Sequence, residues 1–140
     1  MKLIKFISSN FHIVCLGVED EQGDFSPQIL AELQNLGDKY QASARGVFTL
    51  LERYSEHGRH GLTSRQLHEA SKQNKILEII KGDIRLYFFE ENGKLLIASH
   101  AILKKTQKAQ KKDIIRAVSL REKYLEAQRN GTLEIIDCIL

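Results

Sequence analysis

Residues 76–103 run Ile76-Leu77-Glu78-Ile79-Ile80-Lys81-Gly82-Asp83-Ile84-Arg85-Leu86-Tyr87-Phe88-Phe89-Glu90-Glu91-Asn92-Gly93-Lys94-Leu95-Leu96-Ile97-Ala98-Ser99-His100-Ala101-Ile102-Leu103. They read as a three-strand meander. Ile76 to Ile80 is a β-branched apolar run, Gly82-Asp83 supplies a turn, and Ile84 to Phe89 and Leu95 to Leu103 are two further strands. Asn92-Gly93 is a strong hairpin signal, because a two-residue turn of that kind needs two positive φ angles. With those two residues as the whole loop, Glu91 faces Lys94, Arg85 faces His100, Tyr87 faces Ala98 and Phe89 faces Leu96. The alternate face carries Ile84, Leu86 and Phe88 against Ala101, Ser99 and Ile97. It is the more apolar face and is expected to pack on helices. Arg85, Tyr87 and His100 are then expected on an open side.

Upstream, residues 2–7 and 12–18 read as strands, the second nearly continuous in apolar residues, and the acidic stretch Glu19 to Asp24 reads as a loop. Ser26 is expected to cap a helix with Pro27 in its first turn. Ile29, Leu30, Leu33 and Leu36 give that helix one apolar stripe, and Gly37 can end it in a left-handed conformation. A second helix carries Ala44, Val47, Phe48, Leu51 and Tyr54 inward and stops at Gly58, so the two form an antiparallel hairpin. Residues 58–74 are polar, lack periodicity and read as a long connection. Downstream, a basic helix runs to about Gln128 with Ile114, Ala117, Val118, Arg121 and Leu125 on its inner side, and Asn130-Gly131 ends it. Thr132 to Leu140 is strand-like, either a sheet edge or a docking segment. Together these give an α+β domain: a small antiparallel-rich sheet with an N-terminal helical hairpin and a C-terminal basic helix.

At 140 residues, 42% hydrophobic and 28% charged, the chain is expected to form one compact domain over 1–140, with 131–140 as a C-terminal extension. One Pro and nine Gly exclude a collagen-like or low-complexity chain. The longest apolar run, Ile13 to Val18, is too short to span a bilayer. Ser8, Ser9, Asn10 and His12 interrupt the N-terminal apolar run before a secretory core forms, so no membrane association is expected. Cys15 and Cys138 stand at opposite ends without metal-like spacing, as expected of reduced thiols in a cytoplasmic protein. His57, His60 and His68 come with no cysteine or paired carboxylate, and no metal site or cofactor is expected. The net charge is +3, yet residues 100–129 hold nine Lys/Arg against three acids. Such a block is either a solvated helix face or a footprint for a polyanion.

Three blocks carry a resemblance: Ile76 to Lys81, Asp83 to Phe89, and His100-Ala101-Ile102-Leu103-Lys104-Lys105-Thr106-Gln107-Lys108. They resemble the RelE/HigB superfamily of bacterial toxins, in particular its phage-derived HigB-like branch, with the third block the most specific. Lys81 and Leu77 depart from the Arg and Trp usual in the first block, and Gln110 replaces a Pro after the third. The resemblance implies a RelE-like fold and the toxin of a type II toxin–antitoxin system. It implies a ribosome-associated or free mRNA endonuclease, neutralised by an antitoxin that often carries a helix-turn-helix DNA-binding domain.

Cleavage of that kind uses the ribose 2′-hydroxyl as nucleophile, and cations plus a proton donor around one phosphate suffice without a metal. Arg85 suits the phosphate clamp, because its fork binds two oxygens. Strand alternation favours Lys104 as its partner, while the family pattern favours Lys105. His100 is either an acid/base group or a residue that orients the arginine. Lys81, Lys108 and Lys111 are expected to hold backbone phosphates, and Tyr87 either stacks on a base or packs in the core. Two other functions fit the chain: a toxin of the same fold that inhibits DNA gyrase, and a non-enzymatic module whose basic helix binds nucleic acid or an acidic partner.

Overall fold

The computed structural model describes residues 1–104 and 110–138. The chain begins with two antiparallel strands, Lys2–Ser8 (β1) and His12–Glu19 (β2). Phe25–Pro27 (β3) pairs with the far end of β2, and Gln28–Gln34 (α1) and Gln41–His57 (α2) follow. Then come Leu67–Ser71 (β4), Ile76–Lys81 (β5), Ile84–Glu91 (β6) and Leu95–Leu103 (β7). Lys111–Arg129 (α3) and Glu134–Asp137 (β8) complete the described chain.

The class is α+β, but the sheet is larger than the sequence suggests and is mixed. Its order is β4-β5-β6-β7-β2-β1-β8, with β3 on β2. β2 runs parallel to β7, and β8 runs parallel to β1. The long return through the helices lets β2 enter the meander in parallel, since a short turn would force an antiparallel neighbour. The tail is a sheet strand as far as Asp137: Leu3 and Ile4 pair with Ile135 and Ile136, and Lys5 Nζ lies 3.1 Å from Asp137 Oδ1.

Helices cover both faces. Leu77, Ile79, Ile84, Leu86, Phe88, Leu96 and Ala98 pack beneath Ile29 and Leu33 of α1 and Ala44, Val47, Leu51 and Tyr54 of α2. The helix-facing set Ile84, Leu86 and Phe88 is therefore as expected from the alternation. Gly58 stops α2 at φ 68°, and a Cβ there would stand 2.8 Å from Phe11 Cζ. On the opposite face, Val14, Ile76, Tyr87, Phe89 and Ile97 pack beneath Ala117, Leu120 and Tyr124 of α3.

Four expectations are corrected. The 58–74 connection contains β4, a short edge strand whose sequence, Leu-His-Glu-Ala-Ser, shows too little apolar alternation to be read. Ser26 lies in β3 and makes no cap; Pro27 is the N-cap, and the helix ends at Gln34 with Asn35 as its C-cap, before Gly37. The buried stripe of α3 is Ala117, Leu120, Tyr124 and Ala127, so Ile114, Val118, Arg121 and Leu125 are its half-buried flank. Finally, the β6–β7 register is displaced. Glu91 faces Leu95, so Asn92, Gly93 and Lys94 all lie in the loop. Phe88 faces Ala98 and Tyr87 faces His100, which leaves Ser99 as an extra residue in a β-bulge. Arg85 faces Ile102, not His100, and the side expected to be open lies under α3.

Candidate active site

Four strands build a polar line on the α3 side of the sheet. His68 of β4 faces Glu78 of β5, Glu78 faces Tyr87 of β6, and Tyr87 faces His100 of β7. Directly opposed residues share a face, so these side chains stand in one row. Arg85 belongs to the adjacent row, between Ile80 and Ile102. Two residues beyond Ile102, the Lys104 amide donates to the Asp83 carbonyl at 2.7 Å, which fixes the end of β7 against the β5–β6 turn. From above, the first turn of α3 lowers Asp113 onto His100, with Oδ1 3.1 Å from Nε2. A carboxylate at that position is favoured by the helix dipole.

These groups are deep. Glu78 is 2% exposed, Lys104 4%, Asp113 5% and Arg85 7%, while Tyr87 and His100 have no exposure. Arg85 Nη1 donates to the carbonyls of Gly82 (2.7 Å) and Ile84 (3.1 Å), which anchors the guanidinium from one side. Arg85 Nε, Lys104 Nζ, Glu78 Oε2, Tyr87 Oη and Asp113 Oδ2 are all buried and have no hydrogen-bond partner among the described residues. Each such atom costs roughly 1–3 kcal/mol. Five of them in one cluster is not how a core built for stability alone disposes of polar groups.

Burial and the neighbouring charges set the protonation of the cluster. Burial pushes the Glu78 carboxyl up, opposed by the Lys104, Arg85 and His68 charges. Burial pulls the Lys104 ammonium down, opposed by Glu78 and Asp113 and reinforced by Arg85. An acid raised and an amine lowered side by side are both moved toward neutral pH, the disposition of groups that exchange protons. Burial also pulls His100 down, against its hydrogen bond to Asp113. It raises the Tyr87 phenol, as does the Glu78 charge.

The structure brings together Arg85, Lys104, His100 and Tyr87 of the residues singled out from sequence. His100 is enclosed, with Nδ1 2.8 Å from Ser99 Oγ and its ring stacked on Tyr87 at 5.2 Å. Tyr87 spends its ring on that stack and presents no face to a base. Lys81 is on the other side of the sheet. It alternates with Leu77 and Ile79, and its side chain lies along α2, where a Cβ on Gly46 would come within 2.6 Å of Lys81 Cε. Lys111 is exposed at the start of α3. Lys105 and Lys108 lie outside the described residues. Glu78 and Asp113 are the members sequence reasoning missed, although Glu78 left a signal: a lone carboxylate inside the run Ile76 to Ile80 must be paired or functional if that strand is buried.

The cluster lies between two pockets. One, of about 590 Å³, is lined by Lys104, Asp113, Lys112 and Arg116 among others. The other, of about 310 Å³, is lined by Arg65, His68, Ile80 and Arg85. Among the described residues no group of three or more His, Cys, Asp or Glu side chains is placed to hold a metal ion, and no helix is long and apolar enough to cross a membrane.

Comparison with curated proteins returns no match. The family model described as Phage derived protein Gp49-like (DUF891) matches residues 31–122, which include α2, the whole meander, Arg85, Lys104 and the first half of α3. The chain belongs to the phage-derived Gp49-like family.

Proposed function

We propose that this protein is the toxin of a type II toxin–antitoxin pair, a RelE-like, HigB-related endoribonuclease that cleaves mRNA without a metal. One observation carries the reading: Arg85 and Lys104 converge on one face with unpartnered nitrogen atoms beside a buried carboxylate. In the reaction the ribose 2′-oxygen bonds to phosphorus while the bond to the 5′-oxygen breaks. The products are a 2′,3′-cyclic phosphate and a 5′-hydroxyl. Arg85 and Lys104 neutralise the charge that grows on the phosphoryl oxygens. Glu78 takes the 2′-proton, and the Lys104 ammonium supplies the proton to the departing oxygen. His100, held by Asp113 and stacked on Tyr87, positions the row and does not touch RNA.

An antitoxin of the helix-turn-helix class is the proposed partner. An acidic segment of it would cover the exposed cations Lys111, Lys112, Arg116 and Lys123 of α3. That same surface favours a second reading, a binding module whose basic helix acts without chemistry at Arg85.

Inducible expression of wild type and Arg85→Ala, with growth followed and mRNA 5′ ends mapped, separates them. Wild type is expected to arrest growth and create new mRNA ends. The variant is expected to lose about 10²–10³ of the cleavage rate, the usual cost of removing one charge-stabilising donor. New ends that persist in Arg85→Ala would exclude the proposed clamp. Arrest with intact mRNA would favour gyrase inhibition.

A further inference from the structure

The pocket at the β4 side of Arg85 is lined by Arg65, His68 and Arg85, with Ile80 as its apolar wall. Two of these residues come from the segment that the sequence presents as a connection. Its conformation is fixed. Gln66 and Leu67 amides both donate to the Thr63 carbonyl at 3.0 Å, and the Thr63 amide donates to Gln66 Oε1 at 2.9 Å. The Ile80 amide donates to the Gln66 carbonyl at 2.9 Å, which staples the turn to β5. Arg65 therefore projects from a closed turn and His68 from the strand that follows it. Arg85, nine-tenths buried, is tied through Nη1 to two carbonyls, which leaves the Nε–Nη2 edge of the guanidinium, whose Nε has no partner among the described residues. That Nε–Nη2 edge is a planar two-donor fork matched to two oxygens of one phosphate.

We propose that Arg65 and His68 are substrate-binding residues, which together with Arg85 grip one phosphodiester of a single-stranded RNA as it enters over the β4 edge. The inference deepens the ribonuclease reading and rests on it for the identity of the ligand. The fork of Arg85 sets the position of the phosphate. Arg65, exposed at the rim, supplies a point of first capture, and the half-buried His68 supplies a third donor through a ring N–H. Three charged or titratable groups neighbour His68: Glu78 across the β4–β5 pair, Arg85 on β6 and Arg65 on its own segment.

The test uses the purified full chain and a 2′-O-methyl RNA oligonucleotide, whose blocked 2′-oxygen allows binding without cleavage, read by fluorescence anisotropy. Arg65→Ala and His68→Gln are each expected to weaken binding about five- to tenfold, and Arg65→Ala is expected to flatten the salt dependence by about one ion. Lys72→Ala, an exposed cation beside a different pocket, is expected to bind as wild type does. Binding by Arg65→Ala and His68→Gln within twofold of wild type, at unchanged salt slope, would overturn the inference even if the wild type cleaves RNA. Conversely, loss of binding in both variants by a wild type that leaves mRNA intact would sustain the phosphodiester site and remove the nuclease.

Discussion

Under α1 and α2 the sheet buries Leu77, Ile79, Ile84, Leu86 and Phe88 against aliphatic and aromatic side chains, and the buried Ser55 on α2 has its hydroxyl donated to the Glu52 carbonyl. Under α3 the same two strands bury Glu78 and Arg85, β7 adds His100 and the following Lys104, and Asp113 is supplied from above. The strands are continuous between the two faces, so the contrast comes from residue alternation: Leu77 and Ile79 of β5 and Ile84, Leu86 and Phe88 of β6 are dry, while Glu78 and Arg85 between them face α3. The first face is therefore given over to packing, while the α3 face combines its own apolar cluster with a local loss of stability at the candidate site, as functional sites do. Truncation on the dry face tests this most severely. Phe88, fully buried and edge-on to Tyr54 at 6.1 Å, is expected to cost about 3–5 kcal/mol as Phe88→Ala. A urea midpoint shift of that size checks it. A shift below about 1 kcal/mol would mean that the helical layer can be emptied without consequence, and the division of labour between the faces would fail.

How far this division could be read in the chain depends on what each signal reports. Alternation along Ile84 to Phe89 assigns Ile84, Leu86 and Phe88 to the α1–α2 face because they are the more apolar set, but it gives no sign that the Arg85 and Tyr87 face is covered as well. The register was misread because Asn92-Gly93 marks the turn without stating its length; Lys94 is also in the loop, and Ser99 adds a bulge. These two one-residue slips cancel in parity. His100 therefore shares a face with Arg85, as expected, but stands opposite Tyr87. That the face is covered could not be read, because α3 buries a stripe of small and aromatic residues, Ala117, Leu120 and Tyr124, that carries little apolar contrast. Lys104 followed from strand alternation. The same rule puts Lys81 with Leu77 and Ile79 on the α2 side of the sheet, away from Arg85. His68 was beyond reach because β4 lies at the sheet edge and binds through backbone pairing more than through apolar side chains.

A second test of the contrast is pH. Burial holds His100 below the ordinary histidine value, so the folded state takes up that proton only at lower pH than the unfolded chain. The associated stability is complete above the unfolded value of about 6.5 and is lost as pH falls toward the folded value, at up to about 1.4 kcal/mol per pH unit. Glu78 acts in the opposite sense. Its folded pKa is raised, so its contribution is present below about 4.5 and lost as pH rises through the folded value. The difference between wild type and His100→Gln isolates the first term. Wild-type stability is expected to fall more steeply than that of the variant on acidification below about pH 6.5. Parallel curves would place His100 in contact with water and not in a closed row.

The mildest test removes one atom. Tyr87 Oη is buried beside the Glu78 carboxyl, close enough to interact with it but outside hydrogen-bond geometry, while the Tyr87 ring stacks on His100. Tyr87→Phe retains the ring, its burial and the stack, and it relieves a desolvated hydroxyl, so stability is expected to stay within about 1 kcal/mol of wild type and to move upward. The same change takes a polar neighbour from Glu78, whose charge raises the phenol; the Glu78 carboxyl is then expected to titrate at higher pH, read as an upward shift in the acidic limb of the pH–rate profile. A clear destabilisation would mean that the hydroxyl is satisfied in solution, and with it part of the cluster. The polar face would then be an ordinary hydrogen-bonded core, and the physical argument for chemistry at Arg85 and Lys104 would lose the feature that distinguishes this face from the one beneath α1 and α2.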